Sequence, residues 1–120
     1  MAKHNDLGKI GEDIAVDYLV GKGFEIVDRN FRKPYGEIDI VARETTGKLR
    51  FVEVKAVSHE TYRPEEHLHP WKLKRLARVF QVYLVSHGTP DWQFDVVLVH
   101  VNESTKEAKV KMIENIVIGT

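Results

Sequence analysis

The chain is expected to fold as an α/β (α+β) structure, a mixed β-sheet flanked by helices in the order αβββαββ. Three observations predict this. Apolar residues recur at helical spacing in two segments, one near the start and one in the middle of the chain. Five short runs rich in Ile, Val and Phe have the length and composition of strands. Glycines stand where the helical patterns stop, at Gly21, Gly23 and Gly88.

Taken in order, the first helix carries Leu7, Ile10, Ile14, Tyr18 and Leu19 on one stripe, after the cap candidates Asn5 and Asp6. "FEIVDRNFR" (24–32) reads as a strand, and a hairpin follows at about 36–44 and 49–57. "SHETYRPEEHLHP" (58–70) reads as a loop. From Pro70 to His87 a second helix is expected, with Leu73, Leu76, Ala77, Phe80 and Leu84 as its buried stripe. "WQFDVVLVHV" (92–101) and "KVKMIENIVI" (109–118) read as two closing strands.

At 120 residues the chain is expected to form a single domain, 1–120, long enough for a real core. Its 42% hydrophobic content argues against disorder. Lys plus Arg and Asp plus Glu both number 18, so an anionic partner would have to be met by charge gathered on one surface. The absence of Cys excludes disulfides and thiolate metal sites. No run has the length of a membrane span and the start lacks the apolar core of a signal peptide, so a soluble, cytoplasmic protein is expected.

The hairpin "YGEIDIVARETTGKLRFVEVKA" (35–56) carries the chemistry. A strand has a side-chain period of two, so Glu37 and Asp39 share one face, as do Phe51, Glu53 and Lys55. Ile38 with Ile40, and Val52 with Val54, form the opposite, apolar faces. A three-residue loop Thr45-Thr46-Gly47 would set Glu44 opposite Lys48 and Asp39 opposite Glu53; a two-residue loop would shift the pairing by one. Like charges directly across two strands destabilise a sheet, and a divalent cation between them reverses the sign. Oxygen donors of this kind suit Mg²⁺, and Lys55 projects toward the same place. Spacing alone leaves two readings open: a cation site for phosphodiester hydrolysis, or the solvated face of an ordinary hairpin.

"LGKIGEDIAVDYLVGKGFEIVDRNFR", "GEIDIVA", "FVEVKA", "WKLKRLA" and "FDVV" occur in the order seen in the YraN-type small bacterial family. The chain resembles that family over roughly residues 7 to 100. The family in turn is similar to Holliday-junction resolvases of the restriction-endonuclease-like PD-(D/E)xK superfamily. The resemblance implies a restriction-endonuclease-like core and a Mg²⁺- (or Mn²⁺-) dependent endonuclease acting on branched or structured DNA. The alternative it allows is a non-catalytic nucleic-acid-binding module that retains the fold. By the same resemblance Asp39 and Glu53 would be metal ligands, with the Val54 carbonyl as a third, and Lys55 the catalytic lysine. Glu12 would correspond to the first-helix acid that joins the site, although a first-turn acid favoured by the helix dipole reads the same way in sequence. The family usually has Arg two positions after the motif lysine; here that position is Val57. Resolvase-like proteins act as dimers, so a homodimer is the expected assembly.

The second helix carries Lys72, Lys74, Arg75 and Arg78 within two turns, a basic surface suited to phosphate contacts or a plain solvated face. The family's K-x-x-R block favours Lys72 and Arg75 as functional. His67 and His69 form a His-x-His pair with no third ligand at fixed spacing, and with His59 they read as loop histidines. Phe94 and Asp95 are expected to close the core rather than perform chemistry. Trp71 and Trp92 could stack on bases, but both are expected in the core or an interface.

Overall fold

Helix α1 (Lys3–Gly21) and helix α2 (Pro70–Val85) lie on opposite faces of one five-stranded sheet. The strands are β1 (Glu25–Lys33), β2 (Gly36–Arg43), β3 (Leu49–Val57), β4 (Trp92–Val101) and β5 (Ala108–Ile113), in the spatial order β1-β2-β3-β4-β5. These come from a computed structural model that describes residues 3–58, 68–88, 90–102 and 104–118. The expected order αβββαββ is the observed one.

Three ladders are antiparallel and one, β3 with β4, is parallel, which makes the sheet mixed. A parallel pair needs a crossover, and the connection containing α2 provides it. β4 is buried on both faces from Gln93 to Val99, and its near-continuous apolar run suits a central strand sandwiched between helices.

The core has two halves. On the α2 face, Leu76, Val79, Phe80, Tyr83 and Leu84 meet Val41, Leu49, Phe51, Phe94 and Val96. Phe51 stacks on Phe80 at 4.4 Å between ring centroids. On the α1 face, Ala15 and Leu19 meet Ile40, Ala42, Val52, Val97 and Val99. The helix stripes differ in detail from the sequence expectation. On α2 the fully buried set includes Val79 and Tyr83, while Leu73 and Ala77 are only half-buried. On α1 the buried line is Gly11, Ala15 and Leu19, and Ile10 is exposed, because small residues let this helix lie close to the sheet. α1 also begins at Lys3, so Asn5 and Asp6 lie inside it rather than capping it.

The hairpin register follows its turn. Gly47 has φ +95°, a left-handed conformation that glycine adopts without strain, and the Glu44 N–H donates to the Lys48 carbonyl at 2.9 Å. The loop is therefore the three-residue one, and the pairs run Arg43–Leu49, Ala42–Arg50, Val41–Phe51 and Ile40–Val52. The side-chain alternation of β2 holds from Ile40 to Ala42 but not beyond. Ile38 packs on the α2 side and Ile40 on the α1 side, although they were expected to share a face. The last strand is shorter than 109–118. β5 stops at Ile113, since Asn115 takes φ 55° and sends its N–H to the Asp95 carboxylate instead of a ladder partner.

Candidate active site

β2 and β3 part at one point. Their ladder ends at Ile40–Val52, so Asp39 and Glu53, the next residues out, flank a fork. Beyond it β2 continues to pair with β1 as far as Gly36, and β3 with β4 as far as Val57. At the fork the Val54 N–H has no β2 carbonyl to reach and donates to Asp39 Oδ2 at 2.8 Å. In a strand the N–H and C=O of one residue point to the same side, so the Val54 carbonyl also faces this gap.

Asp39, Glu53 and Lys55 line one cavity of about 370 Å³ together with Glu37, Tyr35, Gly36, Trp71, Lys72, Arg75 and Leu76. Its walls are the two diverging strands and the first turns of α2. Gly36 makes that approach close: a Cβ there would stand 2.8 Å from Val79 Cγ2. Of the residues named from sequence, Asp39, Glu53 and Lys55 line this cavity together, and Val54 adjoins it through its backbone. Lys55 Nζ lies 3.8 Å from Glu53 Oε2.

Burial, above all, pushes the Asp39 carboxyl up to about 7. The Val54 N–H works against this, and the nearby carboxylates of Glu53, Glu37 and Glu12 add to it. Three carboxylates, Glu37, Asp39 and Glu53, and three cations, Lys55, Lys72 and Arg75, line the cavity together, and a divalent cation bound by the acids would offset the cost of burying Asp39 in its charged form. Among the described residues no three His, Asp or Glu side chains come close enough to hold a metal ion by themselves. A Mg²⁺ site commonly uses only one or two protein carboxylates and fills its shell with water and substrate phosphate, so Asp39, Glu53 and the Val54 carbonyl fit such an ion.

The basic residues of α2 divide. Lys72 Nζ forms an ion pair with Glu53 Oε2 at 2.9 Å, half-buried inside the cavity rather than displayed on a surface. Arg75 Nε donates to the Tyr35 carbonyl at 2.9 Å, and its guanidinium lies 5.7 Å from the Trp71 ring centre. Arg78 lies over the Tyr35 ring at 3.9 Å. Lys74 is exposed and does not line the cavity. α2 has no acid in its first turn, so its positive dipole end adds to the charge of Lys72 there.

Glu12 does not line the cavity, yet it is joined to it. Its Oε1 accepts from Arg29 Nε at 3.1 Å and Nη2 at 2.9 Å, and its Oε2 accepts from Asn30 Nδ2 at 3.0 Å. The same Asn30 amide donates to Glu37 Oε2 at 2.9 Å, and Glu37 is a cavity residue. Asn30 achieves this with φ 55° in the middle of β1, a conformation that Asn tolerates better than most residues. Sequence reasoning missed it. The available signal was an Asn, poor in strands, inside "DRNFR".

Other expectations fall elsewhere. Asp95 is fully buried and is held by Arg50 Nη1 at 2.9 Å and Gln93 Nε2 at 2.9 Å, a structural network separate from the cavity, in keeping with its expected core role. Trp92 packs against Phe51 and Phe80. Trp71, expected in the core or an interface, lies outside the core, 59% exposed on the cavity rim. His69 lies with its ring parallel to Trp71, and His59 and His67 fall outside the described residues. Among the described residues no helix is long and apolar enough to cross a membrane.

The model of the uncharacterised protein family UPF0102, the YraN-type family, matches residues 11–99. A UPF0102 protein of Flavobacterium psychrophilum is 35% identical over 96% of this chain and 96% of its own. One from Alkaliphilus oremlandii is 41% identical over 91% of this chain and 95% of its own. A solved structure of Pyrococcus furiosus SfsA in complex with Ca²⁺ is similar over 92% of this chain and 63% of that one, with 16% identity and a TM-score of 0.39.

Proposed function

We propose that this chain, which belongs to the uncharacterised protein family UPF0102, is a Mg²⁺- or Mn²⁺-dependent endonuclease acting on branched or structured DNA. The observation that carries the reading is the fork. Asp39 and Glu53 flank it, the Val54 backbone fixes the Asp39 carboxylate, and Lys55 stands 3.8 Å from Glu53. When bound there, a divalent cation supplies Lewis-acid polarisation and charge neutralisation at a phosphodiester.

The chain's own groups do the rest. Asp39 and Glu53 hold the cation through oxygen. Lys55, anchored next to Glu53, offers an ammonium to a phosphoryl oxygen on which negative charge develops. Arg75 and Arg78, each braced against Tyr35, place the backbone of the nucleic acid at the cavity mouth through sequence-independent contacts. Glu12, pinned by Arg29 and Asn30, keeps negative charge near Asp39 and so favours cation uptake.

One observation favours a second reading, a nucleic-acid-binding module without turnover. Lys72 Nζ already neutralises Glu53 at 2.9 Å, and an ammonium there competes with a metal ion. Val57, in place of the usual Arg, also leaves one fewer phosphate contact. A cleavage panel of single-stranded, duplex, flap and four-way-junction DNA, with Mg²⁺ and with Mn²⁺, separates the two. Metal-dependent scission by the parent that is lost in Glu53→Gln supports the endonuclease. Binding without scission of any substrate by the parent supports the module.

A further inference from the structure

The indole of Trp71 is out of place for a hydrophobic side chain. Among the described residues the large apolar side chains most exposed to solvent are Ile10, Val20, Trp71, Val85 and Val117, and Trp71 is the aromatic one. It lines the same cavity as Asp39, Glu53 and Lys55. Its surroundings hold it ready. Pro70 starts α2 immediately before it, the Arg75 guanidinium lies 5.7 Å from its ring, and Arg75 is itself tied to the Tyr35 carbonyl at 2.9 Å.

We infer that this cavity receives an unpaired, single-stranded stretch of nucleic acid, with one base stacked on the face of Trp71 and the adjoining phosphates met by Lys55, Lys72 and Arg75. The inference deepens the reading given above and rests on its nucleic-acid half. Two considerations carry it. An exposed indole interleaved with cations is the chemistry by which proteins hold single strands, because every base offers a π-face and every link a phosphate. Within a duplex those faces are covered by neighbouring base pairs and only base edges and backbone are offered, so away from the duplex ends an indole face has nothing to stack on. The cavity volume of about 370 Å³ also lies in the range of pockets that enclose one small molecule, here one nucleotide.

This selects the branch or end of a structured substrate, where bases are unpaired, over its paired arms. The test is equilibrium binding by fluorescence anisotropy in EDTA, so that neither metal binding nor turnover enters the result. The parent, Trp71→Ala and Trp71→Phe are each titrated, at one salt concentration, into a labelled oligothymidylate of roughly ten nucleotides and a blunt duplex of equal length. The expected result is that Trp71→Ala weakens oligothymidylate binding by about 10-fold and duplex binding by less than about twofold, while Trp71→Phe recovers most of the loss. Equal weakening for both probes, no weakening for the oligothymidylate, or a parent that does not bind it overturns the inference. A parent that binds as expected but cleaves nothing leaves the inference standing and sinks the endonuclease reading alone.

Discussion

The backbone N–H of Val54 donates to Asp39 Oδ2 at 2.8 Å at the point where β2 and β3 separate. A carboxylate there takes over the role of a missing ladder partner, so separating the strands leaves no orphaned amide. The fork and the fixed orientation of Asp39 are one feature. The same enclosure lifts the Asp39 carboxyl from 3.8 to about 7.

That shift gives a pH dependence whose sign can be worked out. Between 3.8 and about 7 the folded protein holds a proton on Asp39 that the unfolded chain has released. The contribution of this group to stability is therefore fully present below 3.8 and is lost as pH rises through about 7. In EDTA, Asp39→Asn should be more stable than the parent at pH 8, by on the order of 4 kcal/mol for the full shift, with the difference shrinking toward pH 4. Urea denaturation across that range checks it. A parent–variant difference that does not change with pH contradicts the argument.

Lys72 acts on Glu53 before it acts on any phosphate. Lys72→Ala should lower stability in EDTA by about 1 kcal/mol, the scale of a half-buried ion pair, because among the described residues Glu53 then keeps only the longer Lys55 ion pair, at 3.8 Å. Added Mg²⁺ should then raise the melting temperature of Lys72→Ala more than that of the parent, since the competing ammonium is gone. A smaller gain than the parent's would show that Lys72 does not occupy the cation's place. Arg75→Ala, by contrast, should leave the Mg²⁺ response unchanged. It should flatten the log-salt slope of nucleic-acid binding by about 0.7 to 0.9 per lost phosphate contact.

Asn30 offers a separation of strain from function. Asn30→Gly keeps the left-handed backbone and loses only the amide bonds to Glu12 and Glu37, while Asn30→Ala adds roughly 1 kcal/mol or more of backbone strain. Thermal melts should rank Asn30→Ala below Asn30→Gly. Any loss of Mg²⁺ binding should be the same in both, because both lose the same amide. If Asn30→Gly binds Mg²⁺ as well as the parent, the link from Glu12 to the cavity has no part in the site.

The fold was legible wherever local rules decide. The αβββαββ order came from two helical periods and five apolar runs, and of the two loop lengths the sequence left open, the three-residue glycine turn gives the observed register; Asp39 and Glu53, expected directly opposite each other, lie one step past the last ladder pair, where the strands have parted. What was not legible depends on tertiary contact. Ile10 fits a helical stripe, but only the close approach of Gly11 and Ala15 to the sheet shows that it lies outside. Lys72 looks in sequence like any cation on a polar face, and its pairing with Glu53 depends on how α2 sits over the fork. Trp71 has the composition of a core residue and becomes a rim residue because α2 starts at the cavity mouth. Asn30 breaks the rule for strands, and its purpose appears only when Glu12 and Glu37 are seen on either side of its amide.

The claim on which the rest depends is that Asp39 and Glu53 hold a divalent cation. Its most direct test is the melting temperature of the parent and of Glu53→Gln at pH 8, in EDTA and across a millimolar range of Mg²⁺ and Mn²⁺. The parent should gain stability as the cation saturates its site, about 1.4 kcal/mol at tenfold above the dissociation constant, while Glu53→Gln gains much less. A parent that melts at the same temperature with and without either cation, matched by the variant throughout, would contradict it and leave the fork as a solvated hairpin face.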